Sequence, residues 1–170
     1  MSNLKEIFRD FTLFIDGQLF SGDVEEIELP KLKWKVEEYR GGGMDLPVDV
    51  TLGHEKLTMS FTLTCHSPYV LSRYGLAPNE KKIFKVFGHL VNYDGSEKGM
   101  QLETHGIICE FDPGTIKPGS KNTVKGMLSL NYLKHVIGNQ TILEIDALNK
   151  KFIVNGVDKD TAARRFLGLN

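Results

Sequence analysis

The sequence predicts a mainly β protein, a sandwich or barrel of antiparallel strands with two minor helices, and three observations carry that expectation. Hydrophobicity alternates with period two: in "KLTMSFTLTC" Leu57, Met59, Phe61, Leu63 and Cys65 share one face while Thr58, Ser60, Thr62 and Thr64 share the other. Tight-turn pairs recur between β-rich runs, at Asp16-Gly17 and Asp94-Gly95, and Asn155-Gly156 fits either such a turn or a stop before a helix. Gly, Pro, Asn and Asp clusters such as "DPGTIKPGSKN" break the remaining chain into short strand-like pieces.

In chain order, "FTLFIDGQLF" reads as strand, turn and strand, and "IELPKLKWKV" as a strand over about 27 to 38 whose phase slips by one at Pro30. A proline cannot donate to a ladder, so the slip predicts a bulge or bend. "KKIFKVFGHLVNY", "MQLETHGIICEF", "TVKGMLSLNYLKHV", "QTILEIDAL" and "KFIVNGVD" supply further strands. One helix is expected over 67–76, entered through Ser67 and Pro68, and another over 158–168, with an acidic start, basic later residues and a glycine stop. Cys65 and Cys109 are expected as buried free thiols.

At 170 residues and 41% hydrophobic content the chain is expected to be one domain over 1–170 that folds without metal or disulfide. A formal charge of −1, from 21 basic and 22 acidic side chains, excludes whole-molecule attraction to nucleic acid or to an anionic membrane. "MSNLKEIFRDFTLFIDG" lacks the pattern of an export signal, and no membrane-spanning apolar run occurs, so no membrane anchor and synthesis in cytoplasm are expected.

Little in the sequence points to side-chain chemistry. "RGGGM" lacks the lysine and hydroxyl of a phosphate-cradling loop. His54, His66, His89, His105 and His135 stand singly, without metal-ligand spacing. No nucleophile elbow is present. Glu144 and Asp146, at i and i+2, share a strand face, but that spacing more often marks a solvated face than an acid–base couple. Basic residues do not interleave with aromatics as on a single-strand binding platform. No catalytic, cofactor or metal site is expected.

"LPKLKWKVEEYRGGGMDLPVDVTLGHEKL" and "ILEIDALNKKFIVNGVDKDTAARRFLGLN" carry a likeness. Through Leu29-Pro30-Lys31-Leu32, Glu37, Tyr39-Arg40, Gly42-Gly43-Met44, Pro47-Val48, Glu144-Ile145-Asp146, Asn155-Gly156-Val157-Asp158 and the arginine-then-Leu-Gly-Leu ending, the chain resembles the major tail tube protein family of contractile-tailed phages and R-type tailocins. Order, spacing and length agree over nearly the whole chain.

The resemblance implies no substrate. It implies a homo-hexamer stacking into a hollow tube, with sheath protein outside, tape measure protein and double-stranded DNA as candidates for the lumen, and baseplate and tail terminator proteins at the ends. The place of work is a virion tail or a released tailocin particle, assembled in the bacterial host. A fold shared with type VI secretion tubes is implied too. Two other readings stay open, a type VI-like tube protein and a non-assembling β-domain that binds nucleic acid or a ligand.

On this reading an arm over about 38–56 reaches neighbouring subunits, through Tyr39, Arg40, Gly41, Gly42, Gly43, Met44, Leu46, Pro47 and Val48. The glycines supply unusual backbone conformations and the apolar residues supply contacts. Glu144, Asp146, Asn155, Gly156, Asp158, Arg164 and Arg165 form a C-terminal assembly motif, its carboxylates expected to pair with Arg40, Arg164 or Arg165 across subunits. If strands 27–38 and 56–65 lie in the inner sheet, Lys31, Lys33, Lys35, Glu37, Ser60, Thr62 and Thr64 face the lumen.

Overall fold

The structure, a computed structural model, describes residues 5–75 and 80–169. Strands dominate: β1 (Glu6–Ile15), β2 (Gln18–Phe20), β3 (Val24–Glu28), β4 (Trp34–Tyr39), β5 (Val48–His54), β6 (Leu57–Leu63), β7 (Lys82–Asn92), β8 (Glu97–Asp112), β9 (Val124–Ile137), β10 (Gln140–Asp146), β11 (Lys151–Val154) and β12 (Val157–Asp158). The helices are α1 (Pro68–Leu71) and α2 (Thr161–Phe166). Asp16 and Gly17 (φ 52° and 88°) and Asn155 and Gly156 (φ 49° and 80°) turn the β1–β2 and β11–β12 hairpins, the left-handed pair that a two-residue hairpin loop requires. Asp94-Gly95 lies instead in a longer β7–β8 loop, where Asp94 Oδ1 accepts the Ser96 N–H at 2.9 Å.

One sheet runs β12-β11-β10-β9-β8-β7-β1-β2, every pair antiparallel, with β6 added to β9 and β3 to β6. Strand β9 makes the fold possible. Its residues 124–130 pair with β6 and its residues 132–137 with β10, while β8 runs along the other edge throughout. The switch falls at Asn131, where the β8–β9 register shifts between His105 and Gly106. Gly106 permits the close crossing, because a Cβ there would stand 2.2 Å from the Ser129 carbonyl oxygen. The sheet therefore folds over itself, and β3–β6 with the adjoining halves of β8 and β9 cover β1, β7 and the other half of β8.

Between these layers lie Leu13, Ile15, Met59, Phe61, Leu63, Phe84, Val86, Leu102 and Leu128, all nearly inaccessible. Phe61 and Phe84 stack at 6.4 Å across the layers. Each large side chain so buried contributes roughly 1.5–3 kcal/mol. Thr104, fully buried, donates to the Phe84 carbonyl at 3.3 Å, so its hydroxyl is satisfied.

Several expectations need correction. The strand expected over 27–38 is two strands: β3 ends at Glu28, and Leu29–Lys33 have no partner strand among the described residues before β4 leaves in a separate two-stranded ribbon with β5. Helix α1 is a single turn. The Ser72 hydroxyl and the Arg73 guanidinium both donate to the Tyr69 carbonyl at 2.9 Å, and Arg73 N–H turns to Val70 at 3.0 Å, which closes the helix early; Leu76, the expected end, lies outside the described residues. Helix α2 is shorter than 158–168 because the Asp158 carboxylate accepts the Asp160 N–H at 2.9 Å and holds 158–160 outside it. Cys65 is half-buried against the core, but Cys109 is exposed, the extra residue of a β8 bulge between Ile108 and Glu110. Ser60 is buried rather than wet, and donates to Glu28 Oε2 at 3.2 Å.

Candidate assembly interface

The ribbon β4–β5 stands apart from the body. Trp34, Val36, Tyr39, Val48, Val50 and Leu52 are all exposed along it, between 44% and 58%. A two-stranded ribbon is marginal alone in water, so its apolar residues call for cover. Its base is fixed to the body by one aromatic cluster: Trp34 stacks on His54 at 3.9 Å, and Phe152 of β11 meets both rings edge-on, at 5.7 and 4.7 Å. The Glu55 N–H donates to the Lys33 carbonyl at 2.8 Å and closes the base.

The tip over 40–47 is organised. The Arg40 guanidinium donates to the Met44 carbonyl at 3.1 Å, and the Gly41 N–H points to the Met44 sulfur at 3.2 Å. Among the three glycines only Gly43 has positive φ, 82°. Met44 is half-buried and engaged within the tip, whereas Tyr39, Leu46, Pro47 and Val48 are exposed. The ribbon begins at Trp34 rather than near residue 38.

The C-terminal motif is tied up within the chain. Arg164 donates to the Asp158 carboxylate at 2.5 Å and to the Lys150 carbonyl at 3.0 Å, both within the same chain. That hydrogen bond, then the Asp160 backbone, hold the Asp158 carboxyl below its ordinary range. Asp146 accepts the Leu148 and Asn149 N–H groups at 3.0 and 3.1 Å and caps the 147–150 turn. Glu144 accepts the Tyr132 hydroxyl at 3.2 Å and faces Lys151 at 3.5 Å. Burial, then the Glu144 charge, push Tyr132 up to about 12. Asn155 accepts from Gln140 at 2.6 Å beside Gly156. Arg165 is exposed, its guanidinium 5.2 Å from the exposed Phe166 ring.

The face expected to line a lumen is not assembled as foreseen. Lys31 and Lys33 lie in the unpaired segment, bridged to Glu28 at 3.3 Å and to Glu55 at 3.1 Å, and Lys35 and Glu37 lie on the ribbon. Thr62, Thr64 and Ser60 are with β6, away from those lysines. Register puts other residues beside them. Glu26, Thr62, Lys125 and Asp112 form one cross-strand row over β3, β6, β9 and β8, and Glu28, Ser60, Met127 and Glu110 form the next. These rows occupy the face opposite Phe61, Leu63 and Leu128, and the acidic members were missed from sequence.

This four-stranded segment has two unfinished borders. Among the described residues β3 pairs only with β6, and the β7–β8 pairing stops at Gly106, leaving 107–112 with a lone bridge from Tyr74 to Ile108. No described group of His, Cys, Asp and Glu side chains has metal-binding geometry, and no described helix is long and apolar enough to cross a membrane.

The model of the phage tail tube protein FII family matches residues 5–168. The chain belongs to that family. The tail tube protein of Escherichia phage P2 is 29% identical over 161 residues, covering 92% of this chain and 94% of that protein. The major tail tube protein of Serratia phage KSP20 is 32% identical over 143 residues, 83% of this chain and 82% of that one. Two solved structures share the fold at low identity: a chain of the PVC sheath–tube complex of an extracellular contractile injection system (TM-score 0.56, 12% identity, 74% of this chain and 87% of that one), and a chain of its sheath/tube terminator (0.58, 11%, 75% and 94%). As a tail tube protein the chain is a structural component of a phage tail or tail-like particle, and its mainly antiparallel β fold is the one these relatives imply.

Proposed function

We propose that this chain is a single tail-tube unit that closes six-membered rings through the two free borders of β3-β6-β9-β8 and stacks them through the β4–β5 arm. The carrying observation is the direction of those borders. Three successive antiparallel pairs make β3 and the far end of β8 run oppositely, so β3 of the next copy lies antiparallel to residues 107–112. The contact is head-to-tail, and a rotation that closes yields a ring without edges. Six copies of four strands give about 24 strands, a circumference near 115 Å at roughly 4.8 Å each and a backbone diameter of about 37 Å, which tilt widens. A duplex about 20 Å across passes, as does a tape measure protein.

The row Glu26–Thr62–Lys125–Asp112 and, beside it, Glu28, Met127 and Glu110 then line the bore, with Ser60 buried and bonded to Glu28. Sheath protein surrounds the tube, baseplate and terminator proteins meet its ends, and assembly takes place in the bacterial host cytoplasm. The exposed ribbon, with Tyr39, Leu46, Pro47 and Val48 at its end, covers a neighbouring subunit or ring. Negative-stain microscopy of the purified chain tests this: rings or hollow tubes are expected, and a monodisperse monomer at high concentration overturns it. Deleting 41–47 leaves a folded subunit that no longer forms tubes, and normal tubes from that variant overturn the role of the arm.

A further inference from the structure

The joint between arm and body contains a titratable group in an unusual place. His54 is the last residue of β5, its ring sandwiched against Trp34 and met edge-on by Phe152, and both ring nitrogens are out of reach of water with no hydrogen-bond partner among the described residues. A neutral imidazole leaves one N–H and one lone pair unsatisfied there. An imidazolium leaves two N–H donors and a charge. We propose that His54 is a proton-operated latch: the neutral ring, held between Trp34 and Phe152, fixes the arm on the body, and protonation frees the arm.

The surroundings set the sign. Burial holds His54 below the ordinary imidazole value of 6.5, and the Asp160 carboxylate at the start of α2 works partly against it. Attraction of an imidazolium to the Trp34 face opposes release in the same direction. Lys33 and Glu55, next to the stacked pair, are bridged to each other at 3.1 Å, and Lys151, next to Phe152, faces Glu144 at 3.5 Å. No carboxylate among these hydrogen-bonds the ring. A group whose folded-state affinity for protons is depressed docks fully above the free value and undocks as pH falls below it. The latch rests on the arm reading only for its effect on assembly, and is tested on the dilute, unassembled chain.

Trp34 is the single tryptophan and reports the joint directly. Lowering pH from 8 to 5 is expected to change its emission in a one-proton step centred below the ordinary imidazole value, with exchange of the Glu55 amide rising about tenfold through the same step while core amides stay protected. His54→Phe, which keeps a stacking ring without a titrating nitrogen, abolishes both changes. Ring-proton NMR of His54 in the native chain gives an independent readout that needs no variant. An emission step that persists in His54→Phe, or a His54 titration at or above the ordinary value, overturns the latch; failure to form tubes at any pH leaves these readouts intact and counts against the tube reading instead.

Discussion

Gly126 of β9 lies directly opposite Phe61 of β6, and a Cβ at 126 would stand 2.5 Å from the Phe61 ring. The ring fills the space that glycine leaves, at the centre of the layer that meets Phe84. Gly126→Ala is therefore expected to destabilise the subunit by about 1–3 kcal/mol, after the roughly 0.4–1 kcal/mol gained by stiffening the unfolded chain. Gly106→Ala should cost more, because its Cβ would meet a backbone carbonyl at 2.2 Å and not a ring that can tilt. Urea denaturation of unassembled subunits measures both, and the reverse order would show that the layer crossing at Gly106 is not the tight point.

The Asp158–Arg164 bond anchors α2 to the β11–β12 hairpin, and the Arg164–Lys150 contact continues it. Arg164 stays charged, so the pH dependence belongs to Asp158, whose carboxyl is held below its ordinary range. The anchor is complete above the unfolded carboxyl value near 3.9 and is lost as pH falls through the lower folded value. Asp158→Asn should free α2 at every pH. Hydrogen exchange at Leu167 and Leu169, whose N–H groups bond to Ala163 and Arg164, reads the change; protection that is unaltered in the variant would assign α2 to other contacts.

Strand existence was legible wherever one face is dry, as in Leu57–Leu63, because alternation is itself the imprint of a half-buried sheet. The slip at Pro30 was visible too, but a slip does not say whether a strand bends or ends. Here it ends, and "KLKWK" divides between an unpaired segment and the ribbon, which is why the lysines do not join Thr62 on one face. Nor does alternation reveal which partner a strand edge takes. The double use of β9 by β6 and β10 is decided by Gly106 and Asn131, through a tertiary crossing with no local signature. The acidic rows follow from that register, so Glu26, Glu110 and Asp112 could be placed only after it was known. The ionic pairing of Asp158 with an arginine was legible in kind, but sequence does not distinguish a bond within a chain, as Asp158 makes to Arg164, from one between chains.

A head-to-tail β3–β8 contact makes a prediction that a symmetric dimer does not. Cys109 is exposed on the far border of β8, and β3 bears no cysteine. Cysteines placed singly along 24–28 are expected to couple with Cys109 of the next copy at one or more positions under mild oxidation, giving a ladder of covalent species up to the ring size on denaturing gels. The native chain, with Cys109 and the half-buried Cys65 alone, should give no ladder. Products that stop at dimers for every position would rule out closure through these borders.

The two cross-strand rows carry Glu26, Glu28, Glu110 and Asp112 against Lys125, an excess of about three negative charges per copy, which in the proposed six-membered ring makes about 18 facing the bore. Lys31 offsets Glu28 from outside the strands. An acidic wall repels phosphate, so duplex DNA would slide without the counterion release that makes a basic wall adhesive. Assembled tubes of the native chain are therefore expected not to retain duplex DNA on sedimentation at physiological salt. Glu26→Lys combined with Glu110→Lys adds about four positive charges per copy, and those tubes should retain DNA with an affinity that falls steeply as salt rises. Equal retention by native and variant tubes would place these rows on a surface that DNA never meets.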